Sequence, residues 1–526
     1  SDTEVLLAAF QQRGRKCLDD FHGMFAFAVW DARTDEVVLA RDRLGKKPLF
    51  YAIDDGCLYF ASGLDALRRT MSGARQIETG ALEDYLALGY IPAPRTIYRD
   101  CFKLEAGSTL TISANGEIQR EAFWAPPVAP ALFEGTFTDA TDALSTLLID
   151  AVRIRLRSDV PIGVFLSGGI DSSLLTAIAK IECGEDVRTF SIGFGSGAHD
   201  ESGDAELVSQ ILGTTHRTFH VSSELLEYLP RLIHGLGEPL ADSAVLPMFA
   251  LARETRPYAT VAIGGDGGDE GFGGYPWYLR HVQLERLRAL LLGDVGRPVR
   301  DALAAMLSAA SPDSPFSGRL VRAANSMSPS TASRRYSELR AMVEPRLRRG
   351  LHPGPRTTPV GLARMAQRYD AAGGDALHRM RVADIMSYLA DELNPKVDVA
   401  TMASAVEMRS PLLDHRVIEF GLSLPGTMLL DERGGKRILR ELLTRYLPPA
   451  VVNKPKHGFT LPLDEWFREE SGARGIRLAG SEALSSLGFF DMEALAALVT
   501  QHRSGSRDHG ERLYALYVLD EWVRAQ

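Results

Sequence analysis

The 526-residue chain has just four cysteines, Cys17, Cys57, Cys101 and Cys183, and no two form a CxxC pair. Its 12 histidines are scattered. Neither a structural zinc site nor a disulfide framework is expected. No apolar run approaches the roughly 18 residues that cross a bilayer, and nothing at Ser1 reads as a secretory leader. The expectation is a cytoplasmic protein with no membrane contact. Basic residues are not in excess: 59 Lys+Arg stand against 68 Asp+Glu, a net charge of -9. That balance argues against nucleic acid as the main partner. Familiar nucleotide signatures are missing too. RGGKR lacks the hydroxyl that follows lysine in a phosphate loop of the GxxxxGK type, and GGDGGDE breaks a GxGxxG pattern.

What remains is ordinary in bulk: 45% hydrophobic and 24% charged residues, enough chain for two to four globular domains. Residues 1–124 read as β-rich, with GMFAFAVWD, EVVLARDRLGKKPLFYA and GCLYFAS as short strands between turn residues. Residues 125–137, APPVAPALFEGTF, hold three prolines and no period, and read as a linker. From 138 the texture alternates. DALSTLLIDAVRIRL has helical spacing, IGVFL reads as a strand, SSLLTAIAKI as a helix and VRTFSIGF as a strand. DAELVSQIL, HRTFHV, AVLPMFALARETR and ATVAIGG continue the alternation. The expected fold is α/β with a parallel sheet. Residues from about 280 to 526 read as mostly helical, and the basic stretch 319–350 as a solvated helical surface.

Two corners of that expected sheet carry chemistry. In IGVFLSGGIDSSLL a strand ends in small residues and feeds a helix. Backbone N–H groups and the helix dipole there favour phosphate, Gly168 and Gly169 allow close approach, and Ser167, Ser172 and Ser173 add hydroxyls. Asp171 would repel phosphate unless a cation lies between them, and magnesium fills that role. The second corner, VAIGGDGGDEGFGGY, sets Asp266, Asp269 and Glu270 among seven glycines. Clustered carboxylates raise one another's pKa or bind a cation. Asp269 is the natural partner of Asp171 on the metal, and Asp266 is left for proton transfer. Lys436, in DERGGKRILRELL, opens a further helix; in isolation it reads as a surface lysine.

Together these stretches resemble the asparagine synthetase family of glutamine-dependent amidotransferases. LNPKVDVATMASAVEMRSPLLDHRVIEF resembles the family's long helical signature, and NKPKHGFTLPLDEWF its C-terminal pattern. SDTEVLLAAF, GMFAFAVWD and ARDRLGKKPLFYA resemble the second half of its N-terminal-nucleophile glutaminase domain. The resemblance implies three parts. Residues 1–124 are the C-terminal half of a type 2 glutamine amidotransferase domain of αββα build, 125–137 the linker, and 138–526 an ATP pyrophosphatase-type synthetase domain with a helical C-terminal region. It implies ATP and magnesium as cofactors, and small-molecule substrates: ATP, aspartate or another acid, and glutamine or ammonia. A homodimer is left open. It implies that Leu166, Ser167, Gly168, Gly169, Asp171, Ser172, Ser173, Ile192 and Gly265 hold the nucleotide. Asp171 and Asp269 hold the metal, Asp266 and Lys436 act in catalysis, and Asp2 binds the amino group of glutamine.

The chain departs from the family in places. It opens Ser1-Asp2-Thr3-Glu4, matching the interior of the glutaminase domain, where the family begins with a nucleophilic cysteine. The expectation is that these residues alone do not hydrolyse glutamine. Cys17, Cys57 and Cys101 match no nucleophile position and are expected in core packing. Asp266 stands where the family commonly has glutamate. EPLADSAVLP differs from the threonine-rich version of many asparagine synthetases, so the alternative is an amidotransferase or cyclase acting on another carboxylate in a polysaccharide or natural-product pathway.

Overall fold

The structure is a computed structural model. It describes residues 1–71, 76–193, 202–221, 223–291, 331–354, 358–453, 461, 463–468 and 473–526. Residues 319–330 of the basic stretch and 454–460 of the C-terminal pattern lie outside the described residues.

The N-terminal strands are β1 Ala26–Asp31, β2 Glu36–Arg41, β3 Phe50–Asp54, β4 Cys57–Ala61, β5 Phe102–Lys103, β6 Ser108–Ile112 and β7 Ile118–Ala122. They form two antiparallel sheets, ordered β1-β2-β6-β7 and β4-β3-β5. Leu39, Leu49, Tyr51, Leu104 and Leu110 make a small core there. Beyond it the chain runs as loop to Thr136, where a capping box with Asp139 starts the helix Phe137–Arg155. Reciprocal bonds at that cap satisfy two N–H groups the helix itself cannot.

The second part is a five-stranded parallel sheet. Its strands are β8 Ile162–Phe165, β9 Arg188–Gly193, β10 Thr215–His220, β11 Val261–Ile263 and β12 Glu407–Arg409. The order is β10-β9-β8-β11-β12. Alternate residues of a strand face opposite ways, and the packing follows that rule. Val164, Leu166 and Ile263 join a core with Leu144, Leu148, Leu174, Leu175 and Val208, from helices on one face. Phe165, Phe190, Ile192, Ala262 and Met408 join another with Val245, Phe249, Val397 and Ala400, from helices on the other face. Burial on both faces explains why these strands read as continuous apolar runs.

Three expectations need correction. The stretch Leu393–Phe420 is not one helical signature: the helix Asn394–Met402 ends, and β12 then completes the sheet beside β11. The basic stretch is only partly solvated where it is described: Arg334 and Arg349 are exposed, but other residues are buried. Tyr336 is fully buried in the helix Ala332–Leu339, and Arg335 is bound by Glu285 at 2.6 Å. Cys17 and Cys101 are buried, but Cys57 is exposed: it is the first residue of the edge strand β4, directly after the turn at Asp55-Gly56.

Candidate active site

Chain order fixes where the two glycine corners meet. From β8 the sheet grows outward through β9 and β10, while β11 and β12 lie on the opposite side. The direction of winding therefore reverses between β8 and β11. In open parallel sheets such a reversal leaves a crevice beyond the strand ends, where ligands bind. Val164 of β8 is in register with Ile263 of β11, so both corners leave the sheet side by side.

The first corner is built for close approach. Gly168 has φ +77°, and a Cβ there would lie 2.6 Å from Asp204 Cβ, so no other residue fits without displacement. Ser167 and Ser172 hydroxyls lie 3.1 Å apart, and the Ser167 hydroxyl accepts the Gly169 N–H at 3.3 Å. The following helix, Ile170–Ala177, begins at Gly169 without a side-chain cap, which leaves its N-terminus suited to an anion. Ser173 is fully buried, and its hydroxyl finds no hydrogen-bond partner among the described residues.

The second corner closes over the first. A Cβ at Gly265 would come within 2.9 Å of Asp171 Cβ, and one at Gly268 within 2.6 Å of both Asp171 carboxylate oxygens. These glycines exist because Asp171 packs against their backbone. Lys436 joins the two corners: its Nζ lies 2.5 Å from Asp171 Oδ2 and 3.0 Å from Asp269 Oδ1. Those distances put the two carboxylate oxygens no more than 5.5 Å apart. Burial alone would lower the Lys436 pKa, but Asp171 and Asp269 reverse this and raise it above an ordinary lysine's. Its backbone is left-handed at φ +59°, and its N–H donates to the Phe272 carbonyl at 3.1 Å. That conformation costs about 1–2 kcal/mol for a residue with a Cβ, and the triad it completes offsets the strain.

Asp266 lies at the other end of the second corner. The Ser410 hydroxyl donates to its Oδ2 at 3.0 Å, and the Lys46 ammonium is 4.0 Å from the same oxygen. Glu270 is buried. Burial and the Asp269 charge push its pKa up to about 7, and it accepts the Tyr275 hydroxyl at 2.5 Å. Buried Arg381 ties down the loop through the Glu270 and Gly271 carbonyls.

A glycine-rich strand end, paired acids from adjacent corners and one shared lysine can be compared with known proteins. The asparagine synthase family profile matches residues 143–524, and a glutamine amidotransferase domain profile matches residues 1–124.

The chain belongs to the asparagine synthase family.

A Mycobacterium tuberculosis protein that bears the name glutamine-hydrolysing asparagine synthetase by assignment is 32% identical, over 99% of this chain and 79% of that protein. Asparagine synthetase (glutamine-hydrolysing) 1 of Bacillus subtilis is 28% identical over 99% of this chain and 80% of that protein. Asp171, Asp269, Gly265 and Lys436 form one cluster, with Ser167, Gly168, Gly169, Ser172 and Ser173 on the corner that carries Asp171. Leu166 and Ile192 are buried strand-end residues, and the Leu166 N–H is already used by the Phe190 carbonyl at 2.9 Å. Asp2 is exposed in the first turn of the helix Asp2–Arg13, where it accepts the Thr3 N–H at 2.9 Å. No described helix is long and apolar enough to cross a membrane.

Two residues at the site were not singled out in the sequence, although both lie in stretches that resemble the family. Ser410 follows a three-residue strand hidden in a helix-rich stretch, and Lys46 comes from the N-terminal part. A third grouping has the composition of a metal site, but its carboxylate is already engaged. His22, Asp414 and His415 approach one another, but Asp414 is taken up by Arg155 and Arg416 at 3.0 Å each. Burial and Arg43 push the His415 pKa down to about 4.

Gly268→Ala tests the packing of the corners. The added methyl must displace the Asp171 carboxylate, so stability should fall by about 1–3 kcal/mol, read from a denaturant midpoint. A variant with the wild-type midpoint would show that the corners have slack.

Proposed function

We propose that the chain is an ATP-dependent amide ligase. It activates a carboxylate, the β-carboxylate of aspartate first among candidates, and converts it to the amide. The observation that carries this reading is the meeting of Asp171 and Asp269, from two corners of one sheet, on a single cation at the winding reversal.

The substrate carboxylate oxygen attacks the α-phosphorus of ATP, and the bond to the leaving pyrophosphate breaks. Ammonia nitrogen then attacks the acyl carbon. The carbon–oxygen bond to AMP breaks, AMP leaves with the electron pair, and ammonia gives up one proton to leave a neutral amide. The serines and N–H groups of the first corner bind phosphate oxygens, and the ammonium of Lys436 balances charge on the phosphorus as it becomes five-coordinate. The residues also fit a divalent ion. Two carboxylates already converge on a positive group, and hard oxygen ligands suit magnesium. Magnesium on Asp171 and Asp269 would neutralise the pyrophosphate as it departs. Asp266 takes the proton from ammonia.

Glutamine is the proposed source of ammonia, in keeping with the amidotransferase match over residues 1–124. A cavity lined by Gly23, Met24, Arg43, Lys46, Arg155 and Ser410 lies between that part and the synthetase part, and Ser410 in its wall donates to Asp266.

Pyrophosphate release tests the reading. The protein is given ATP, magnesium and ammonium with aspartate, and in parallel with a panel of sugar acids, amino acids and β-amino acids. AMP and pyrophosphate should form in equal amounts with at least one acid, and that acid names the acceptor. ADP and phosphate, or no release with any acid, would overturn the proposal.

A further inference from the structure

The loop 42–47 of the N-terminal part reaches the synthetase site and is unusually well fixed. The Asp42 carboxylate is buried and accepts backbone N–H groups from Phe25, Leu44, Lys46 and Lys47 at 2.9–3.3 Å. From across the interface the Asn394 amide donates to the Leu44 carbonyl at 2.7 Å, and Lys47 pairs with Asp398 at 2.7 Å. A loop so anchored delivers its remaining side chain to one place. Lys46 is 6% exposed, and its Nζ donates to Ser410 Oγ at 2.9 Å. Ser410 is buried as well and has one proton to give, which goes to Asp266 Oδ2 at 3.0 Å. The bonds therefore run one way, from ammonium to hydroxyl to carboxylate.

A lysine buried this far is costly unless its charge has a purpose or a partner. Burial lowers its pKa, and Asp266 is the foremost group pulling it back. Packing alone would be served better by an apolar side chain at this interface.

We propose that Lys46 is a positioning residue which, through Ser410, fixes the Asp266 carboxylate to accept the proton that ammonia loses on attacking the acyl-adenylate. The inference rests on the ligase reading above and assigns a residue of the N-terminal part to the second half of that reaction. With Oδ2 held by Ser410, Oδ1 is the oxygen that takes the proton. Lys46 and Ser410 also line the cavity between the two parts, and Ser410 carries the bond to the carboxylate. Activation of the acid by ATP uses Asp171, Asp269 and Lys436, which the relay does not touch. Lys46 should therefore matter to one half-reaction more than to the other.

Rapid-quench single turnovers separate the halves. Wild type, Lys46→Met, Lys46→Arg and Ser410→Ala are mixed with ATP, magnesium, ammonium chloride and the acid that supports wild-type turnover, and pyrophosphate and amide are followed in time. In Lys46→Met and Ser410→Ala the conversion of adenylate to amide should slow roughly 10- to 100-fold, the scale of a misplaced reacting group, so that pyrophosphate appears well ahead of amide. Lys46→Arg should recover part of the loss. A structural role for Lys46 would slow both halves in proportion, and that result, or an unchanged amide step, overturns the inference while leaving the ligase intact. If Lys46→Met does not fold, Ser410→Ala decides by the same comparison. Wild-type protein that releases no pyrophosphate with any acid overturns the ligase and the role of Lys46 together.

Discussion

Lys436→Met should lower amide formation by ~10²–10³ while ATP still binds. The lysine is 5% exposed, and its ammonium is shared by two carboxylates. Methionine fills nearly the same volume, so what is lost is charge at the phosphorus and between the acids. Asp171 and Asp269 would then face each other with their common cation removed, and repulsion between like charges favours a bound cation. The variant should therefore depend more on magnesium for its stability than wild type does. Breaking a buried ion set by removing one partner costs about 3–5 kcal/mol, and the metal should restore part of it. Thermal melts with magnesium and with a chelator check this, alongside calorimetric ATP binding and pyrophosphate release. Turnover within threefold of wild type would remove Lys436 from the chemistry. Arginine is not expected to rescue. Its planar fork is wider than an ammonium, and Lys436 Cε already presses against Gly274, where a Cβ would collide.

The fold was legible where local chemistry and long-range packing agree. Strands buried on both faces must be apolar throughout, and glycine corners must follow them if backbone is to approach a ligand. Both signals lie within a dozen residues of each other, so IGVFLSGGIDSS and VAIGGDGGDEG could be read without a partner. Their adjacency could not: it depends on β8 pairing with β11, strands separated by two others in the chain. Short elements were missed for a related reason. Three residues, Glu407–Arg409, cannot display a period, and only the edge offered by β11 makes them a strand. Ser410 became a site residue as a consequence. Lys46 stood in the quoted stretch ARDRLGKKPLFYA, but its role could not be read because its partner is 364 positions away. The basic charge of the segment around Tyr336 suggested solvent, yet Arg335 bound to Glu285 and Arg340 stacked 4.0 Å from the Trp277 ring place much of that charge inside. Charge reads as surface only until it finds partners.

Asp171→Asn should reduce pyrophosphate release by about 10³, a rate still measurable at high enzyme concentration, since it removes a metal ligand and the closest partner of Lys436 in one step. Asparagine keeps the shape that Gly265 and Gly268 enclose, so the variant should fold, and its melting temperature checks that. Asp269→Asn should fall nearly as far. The double variant is the sharper measurement. Two carboxylates that hold one ion lose it when either is neutralised, and residues that act as a unit are strongly non-additive. The double variant should then be scarcely slower than either single one. If the losses multiply instead, the two acids work separately, and their convergence on Lys436 is a resting ion pair rather than a divalent site. Magnesium dependence distinguishes the cases as well: raising the metal concentration should recover part of the activity of Asp269→Asn under the shared-ion arrangement, and none under separate roles.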